Sequence, residues 1–209
     1  MNLYINLLLA VVSFSFISYL NGLVALNMIN TAINSPTLPD IGFQYLPQIS
    51  ATVPNLLLIF SCIYFALRFF RLDNLRTLVD LVWCITVLFA IRIFTFTVTI
   101  VPPSTIGCIN RDINDPIEWN VVEYLIYSDD NTCTDYMFSG HACYFVVLLL
   151  YTLRLSKYKW EKIIFAVLTL LGLISIICGH IHYTADVVVG IVLSFWCFNL
   201  VENKIIIRY

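Results

Sequence analysis

Charge is in short supply throughout this chain. Only 11% of its 209 residues are Asp, Glu, Lys or Arg, while 60% are hydrophobic. A soluble domain carries about 25% charged and roughly 45–50% apolar residues. An ordinary water-exposed globule is therefore excluded, and the composition is that of a membrane protein. The formal net charge is −2, so no basic field is present to attract nucleic acid. The seven cysteines are scattered, which excludes a disulfide scaffold, and no CxxC or Cys/His group has the spacing of a zinc site. Internal repeats and low-complexity tracts are missing too. Histidine is rarer still, at three residues, and all three prove informative.

What the chain does have is long apolar runs. About 20 mostly apolar residues are needed to cross a bilayer as a helix. Six segments approach or meet that length: roughly Leu3 to Met28, Val53 to Phe70, Leu78 to Val101, Tyr136 to Leu155, Ile163 to Cys178 and Ala185 to Val201. The first has no basic n-region and no A-x-A-like site, so it reads as an anchor and not a cleaved signal peptide. The expected fold is all-α, a polytopic membrane protein of six helices, with residues 1–209 forming one catalytic domain.

Lysine and arginine set the orientation. Arg68, Arg71 and Arg76 lie at loop 2–3, Arg154, Lys157, Lys159 and Lys162 at loop 4–5, and Lys204 and Arg208 in the tail. Loops 1–2 and 5–6 have no basic residue, and loop 3–4 has Arg111 alone. Both termini are then expected in the cytosol, with loops 1–2, 3–4 and 5–6 lumenal or exterior. Cys108 and Cys133 bracket loop 3–4, where an oxidising lumen would permit a disulfide; two free thiols are the other reading.

The same rule puts His141, His180 and His182 at one membrane face. His182 and Asp186 are four residues apart and share a face if the last helix begins near His182. A carboxylate beside an imidazole can hold one ring proton and aim the other nitrogen at an electrophile. His141 follows Ser139 and Gly140, small residues that let backbone N–H groups approach an anion at a helix start. Two histidines, a carboxylate and two helix starts at one depth suit phosphoryl transfer, with one histidine attacking phosphorus and the other moving the proton. Arg92, about 21 Å into its helix at 1.5 Å per residue, is costly inside a bilayer and is a candidate phosphate ligand; snorkelling or pairing with a carboxylate is the other reading. His180 taken alone reads as a structural or interfacial residue.

At these residues the chain resembles the sphingomyelin synthase family, within the lipid phosphate phosphatase superfamily. The resemblance spans most of the chain and is carried by "SPTLPDIGFQYLP" (35–47), "RIFTFTVTIVPPS" (92–104), "TDYMFSGH" (134–141) and "HIHYTADVVVG" (180–190). It implies six spans and an exoplasmic active site. His182 is implied as nucleophile with Asp186 as its partner, and His141 as proton carrier. Arg92, Asp135, Ser139, Gly140 and Tyr183 are implied around the phosphate. The implied reaction moves a phospho-headgroup, phosphocholine first, from a glycerophospholipid to the primary hydroxyl of ceramide, without metal or other cofactor. Expected partners are ceramide, the donor lipid and the bilayer of the Golgi, ER or plasma membrane, with a homo-oligomer left open.

Departures from the family pattern at Thr134, Ile100, Val101 and Gln44 leave choline, ethanolamine and inositol lipids open as donors. The phosphatase branch, with the same residues performing hydrolysis, is the alternative. Its motifs fit less well: Phe138 stands where that branch has proline before Ser-Gly-His, and Ser175 and Ile176 stand at its Ser-Arg pair. A non-catalytic lipid-binding protein is the alternative of another class.

Overall fold

The computed structural model describes residues 3–32, 36–99, 101, 102, 104 and 137–203. Among them every regular element is helical: α1 (Leu3–Ala32), a short α2 (Ile41–Tyr45), α3 (Thr52–Phe69), a 3-10 turn (Leu72–Asn74), α4 (Leu75–Val98), α5 (Gly140–Leu155), α6 (Lys159–Cys178) and α7 (Thr184–Glu202). The helices α1, α3, α4, α6 and α7 are long and apolar enough to span a bilayer. The chain is an all-α, polytopic membrane protein.

The remaining long helix, α5, has 16 residues, about 24 Å at 1.5 Å per residue. That is shorter than the roughly 30 Å hydrocarbon core. It is also the most enclosed helix, packed on α3, α4, α6 and α7, with Phe145, Val147, Tyr151 and Thr152 almost wholly buried. Enclosure explains the length, because a helix wrapped by protein need not match the lipid. α1 leans on α4, where buried Asn6 accepts a hydrogen bond from Trp83 Nε1 at 3.1 Å and Asn21 Nδ2 donates to the Phe89 carbonyl at 2.9 Å. Such polar ties are a normal glue between helices in lipid, where apolar contact alone gives little preference.

Boundaries differ from the apolar runs for local reasons. The run from Tyr136 predicts a helix there, but α5 starts at Gly140, because the Ser139 hydroxyl accepts from Ala142 N–H at 3.2 Å and caps it. The start of α6 lies at Lys159 and not Ile163, since its first turn is polar and escapes an apolar count. Pro54 sits in the first turn of α3, where its missing N–H costs no helix bond.

The helix directions create two distinct ends. One gathers the starts of α3, α5 and α7 and carries the histidines. The other gathers Arg68, Arg71, Arg76, Arg154, Lys157, Lys159 and Lys162. At this basic end Arg68 on α3 pairs with fully buried Glu161 on α6, which also accepts from the Ser156 hydroxyl. Arg154 on α5 lies 3.7 Å from Asp80 on α4 and pairs with Glu202 on α7.

Candidate active site

The backbone is bent unusually where it enters the histidine end. Among the described residues, Phe138 (φ 43°) and His180 (φ 54°) are the non-glycine residues with positive φ, a conformation few side chains adopt. Each immediately precedes a segment that presents a site residue. Such strain persists only where surrounding contacts enforce it. Phe138 is 1% exposed. The His180 ring stacks on Phe43 at 4.0 Å, and its carbonyl accepts from the Ser104 hydroxyl at 2.5 Å.

Loop 36–46 braces the start of α7. Asp40 caps α2 by accepting from Gly42 N–H and Phe43 N–H at 2.8 and 3.2 Å, and it reaches across to Thr184 N–H and Oγ1 at 2.8 and 2.6 Å. Burial pushes its carboxyl upward, but the bonds from Thr184, Phe43 and Gly42 outweigh that and hold it below its ordinary value. Tyr183, expected at the phosphate, uses its hydroxyl in this brace: it donates to the Pro102 carbonyl and accepts from Leu38 N–H, at 3.1 and 3.0 Å. Burial raises its phenol above the ordinary value.

His141 and His182 come together, with ring centroids 6.3 Å apart and planes at 59°. A nucleophile approaches its target at about 3–3.5 Å, and a proton donor stands roughly 2.6–3.2 Å from its acceptor. One tetrahedral phosphorus can therefore be addressed by both rings. His141 Nε2 meets Asn55 Oδ1 of α3 at 2.7 Å. With the amide oxygen accepting, Nε2 is the protonated nitrogen and Nδ1 is left for chemistry.

The expected shared helix face is not what unites His182 with Asp186. α7 begins at Thr184, so His182 lies in the turn ahead of it. Asp186 is the third helical residue, and its Oδ2 accepts from Tyr183 N–H at 3.1 Å. Its carbonyl accepts from Ser139 N–H at 3.1 Å, which ties the start of α7 to that of α5. Gly190 makes this approach possible, since a methyl there would come 3.1 Å from the Ser139 carbonyl. The Ser139 hydroxyl is the α5 cap described above.

Arg92 is 6% exposed, with its guanidinium 4.8 Å from the Phe96 ring centroid and 5.8 Å from that of Phe89. A methyl on Gly140 would fall 3.1 Å from Arg92 Nη1, so the guanidinium lies against the first residue of α5. A helix start and a cation side by side form an anion-favouring corner. Asp135, Cys108 and Cys133 lie outside the described residues. Among those described, no cluster of three His, Cys, Asp or Glu side chains is placed to share a metal ion.

Sequence reasoning missed Asn55. The signal was available as an amide in an otherwise apolar run, which is a candidate for function on cost alone.

The family description "PAP2 superfamily C-terminal" matches residues 132–204, which include His141, His182 and Asp186. The human "Phosphatidylcholine:ceramide cholinephosphotransferase 1" is 32% identical over 91 residues, covering 40% of this chain and 21% of that protein. The chicken protein of the same name is 31% identical over 91 residues. The Arabidopsis thaliana "Phosphatidylinositol:ceramide inositolphosphotransferase 3" is 28% identical over 191 residues, 82% of this chain and 65% of that protein. The chain thus spans about a fifth of the length of the cholinephosphotransferases it matches. The histidine end thus lies largely within a region similar to the PAP2 superfamily, and the chain as a whole is similar to ceramide phosphotransferases.

Proposed function

We propose that the protein transfers a phospho-headgroup from a glycerophospholipid to the primary hydroxyl of ceramide. The observation that carries this reading is the pair of imidazoles 6.3 Å apart beside an arginine at a helix start. His182 attacks phosphorus; an N–P bond forms as the P–O bond to diacylglycerol breaks, and the departing oxygen takes a proton from His141. His141 then removes the ceramide hydroxyl proton, that oxygen attacks phosphorus, and the N–P bond breaks. The proton given in the first half is regained in the second. Asp186 stabilises the charged form of the His182 ring. Arg92 and the start of α5 meet the charge gathering on the phosphoryl oxygens.

Both donor headgroups named among the relatives remain in play. Phosphocholine accords with the relatives at 31–32% identity, and phosphoinositol with the relative aligned over 82% of the chain. The excess of lysine and arginine at the opposite end supports a cytosolic basic end and a lumenal or exoplasmic histidine end. Phe138 bears on the hydrolase alternative. Proline fixes φ near −65°, so the backbone at φ 43° is closed to the residue that the phosphatase motif carries there.

The test is product analysis in liposomes, with purified protein, fluorescent ceramide and either phosphatidylcholine or phosphatidylinositol. A phosphosphingolipid that vanishes in His182→Ala supports transfer and names the donor. Release of free phosphate or phospho-headgroup without a sphingolipid product would replace transfer by hydrolysis.

A further inference from the structure

At the basic end, acids and bases are sorted by direction. The ion pairs there join Arg68 to Glu161, and Arg154 to Asp80 and Glu202. Glu161 is wholly buried, so its charge is turned into the bundle and answered by Arg68. Its sequence neighbours Lys157 and Lys159 are exposed and Lys162 is half-buried. Among the described residues none of these three lysines pairs with an acid. Three positive charges in the segment "KYKWEK" (157–162) therefore stand outside the bundle with no counter-charge. Arg71 differs: it is exposed too, but exposed Asp73 lies two residues away.

The patch lies where a bilayer surface meets the protein. Trp160, Ile163, Val167, Leu170 and Ile174 are each at least 41% exposed. They recur every three or four residues, which makes one outward stripe along α6. On a helix that spans a bilayer, such a stripe faces hydrocarbon. Trp160 is its last member at the basic end, and the Tyr158 ring lies beside it with centroids 6.3 Å apart. Tyrosine and tryptophan settle at the headgroup level. The lysines alternate with these two rings, and their flexible stems let the ammonium groups reach the lipid phosphates. The segment is also held in place. Tyr158 N–H donates to the Ser156 hydroxyl oxygen at 3.0 Å, and the Arg68 guanidinium lies 5.6 Å from the Tyr158 ring centroid. A patch ordered in advance loses little freedom when a ligand arrives.

We propose that Lys157, Lys159 and Lys162, set beside Tyr158 and Trp160, bind the headgroup of an anionic phospholipid in the leaflet adjoining the basic end. Charge complementarity names the occupant. Unpaired cations at phosphate depth, next to a hydrocarbon-facing stripe, match a lipid of net negative charge. A zwitterionic lipid brings its own cation to the same place and gains little there. The site lies at the opposite end from the histidines and does not depend on the transferase reading.

The test is native mass spectrometry of the purified full chain, delipidated in detergent and titrated with phosphatidylserine or phosphatidylcholine of identical acyl chains. The wild type should bind phosphatidylserine at least about tenfold more tightly, and a tenfold rise in salt should shrink that preference. Each lysine near an anionic surface contributes about fivefold. The combined Lys157→Gln, Lys159→Gln and Lys162→Gln variant should therefore lose at least about tenfold in phosphatidylserine affinity, with phosphatidylcholine affinity within about twofold of wild type. Arg71→Gln should lose less than about threefold. Equal binding of the two lipids by the wild type would overturn the proposal, and this arm stands even if the combined variant fails to fold. A folded combined variant that keeps the preference would overturn it as well. So would an equal loss in Arg71→Gln, which would mean a diffuse field in place of a site. Competition by water-soluble glycerophosphoserine as strong as by the lipid would replace the bilayer occupant with a soluble anion and sink the assignment.

Discussion

The two ends of the bundle spend their polar residues differently. At the basic end opposite charges from different helices neutralise one another: Arg68 with Glu161, and Arg154 with Asp80 and Glu202. At the histidine end, side chains bind backbone. Asp40 takes the N–H groups of Gly42, Phe43 and Thr184, Asp186 takes that of Tyr183, and Tyr183 donates to the Pro102 carbonyl. A charge pair consumes both partners, whereas a cap consumes a backbone group that had to be satisfied in any case. The second arrangement fixes the loops and helix starts that bring the two imidazoles together. On the proposed transferase reading, one end holds and the other acts.

The largest expected effects separate acting from holding. His182→Ala should lower transfer by about 10³-fold or more, as loss of a nucleophile does. Asp186→Asn should lower it by about 10²–10⁴-fold, because an amide cannot stabilise a charged ring. Both should elute as folded protein from size exclusion in detergent. Full activity in either variant would remove that residue from the mechanism. Glu161→Gln should do the reverse, with a clearly lower melting temperature, since a buried partner of Arg68 and Ser156 is lost. Turnover per folded molecule should stay within about twofold, because Glu161 and the histidines lie at opposite ends of the bundle and distant sites act independently. A strong activity loss without a stability loss would erase the distinction between the ends.

Gly140→Ala should have a smaller and more local effect. The added methyl would stand 3.1 Å from Arg92 Nη1, and the guanidinium must shift by a few tenths of an ångström. A displacement of 1 Å costs about 10²-fold, so a loss below about tenfold in kcat is expected, with stability unchanged. If kcat does not move, Arg92 does not need this position.

The sequence made one half of this picture readable. Apolar run length and loop charge yield the spans and bring His141, His182 and Arg92 to one end, because hydropathy and the bias of lysine and arginine are local properties. Cap chemistry was harder to place. Helix α7 starting at Thr184 puts His182 outside the helix, and Asp186 joins the site through a cap and through Ser139 instead of a shared face. The brace was hidden altogether. Asp40 lies in a motif that the sequence displays, yet its partner Thr184 is 144 residues away, and no periodicity records that separation. Glu161 was hidden for a similar reason: beside Lys159 and Lys162 it looks like part of a solvated charge cluster, and its approach to Arg68 and Ser156 accounts for its burial.

The smallest effect tests the brace by pH. The Asp40 carboxyl is held below its ordinary value of 3.8, so its folded-state value is the lower of the two. Its contribution to stability is then complete above the unfolded value and is lost as pH falls through the folded one. Near neutral pH, Asp40→Asn should lower the melting temperature modestly, because the amide oxygen can still accept some of the same N–H groups without charge assistance. Below about pH 4, where the carboxyl of the unfolded chain begins to take up its proton, the gap between the two proteins should narrow, closing as pH falls through the lower folded value. The same titration separates a brace from a proton donor. If Asp40 only holds Thr184 and the turn carrying His182, Asp40→Asn lowers kcat without shifting the pH at which kcat is half-maximal. A shifted profile would make Asp40 a participant in proton transfer and would extend the acting region of the molecule into loop 36–46.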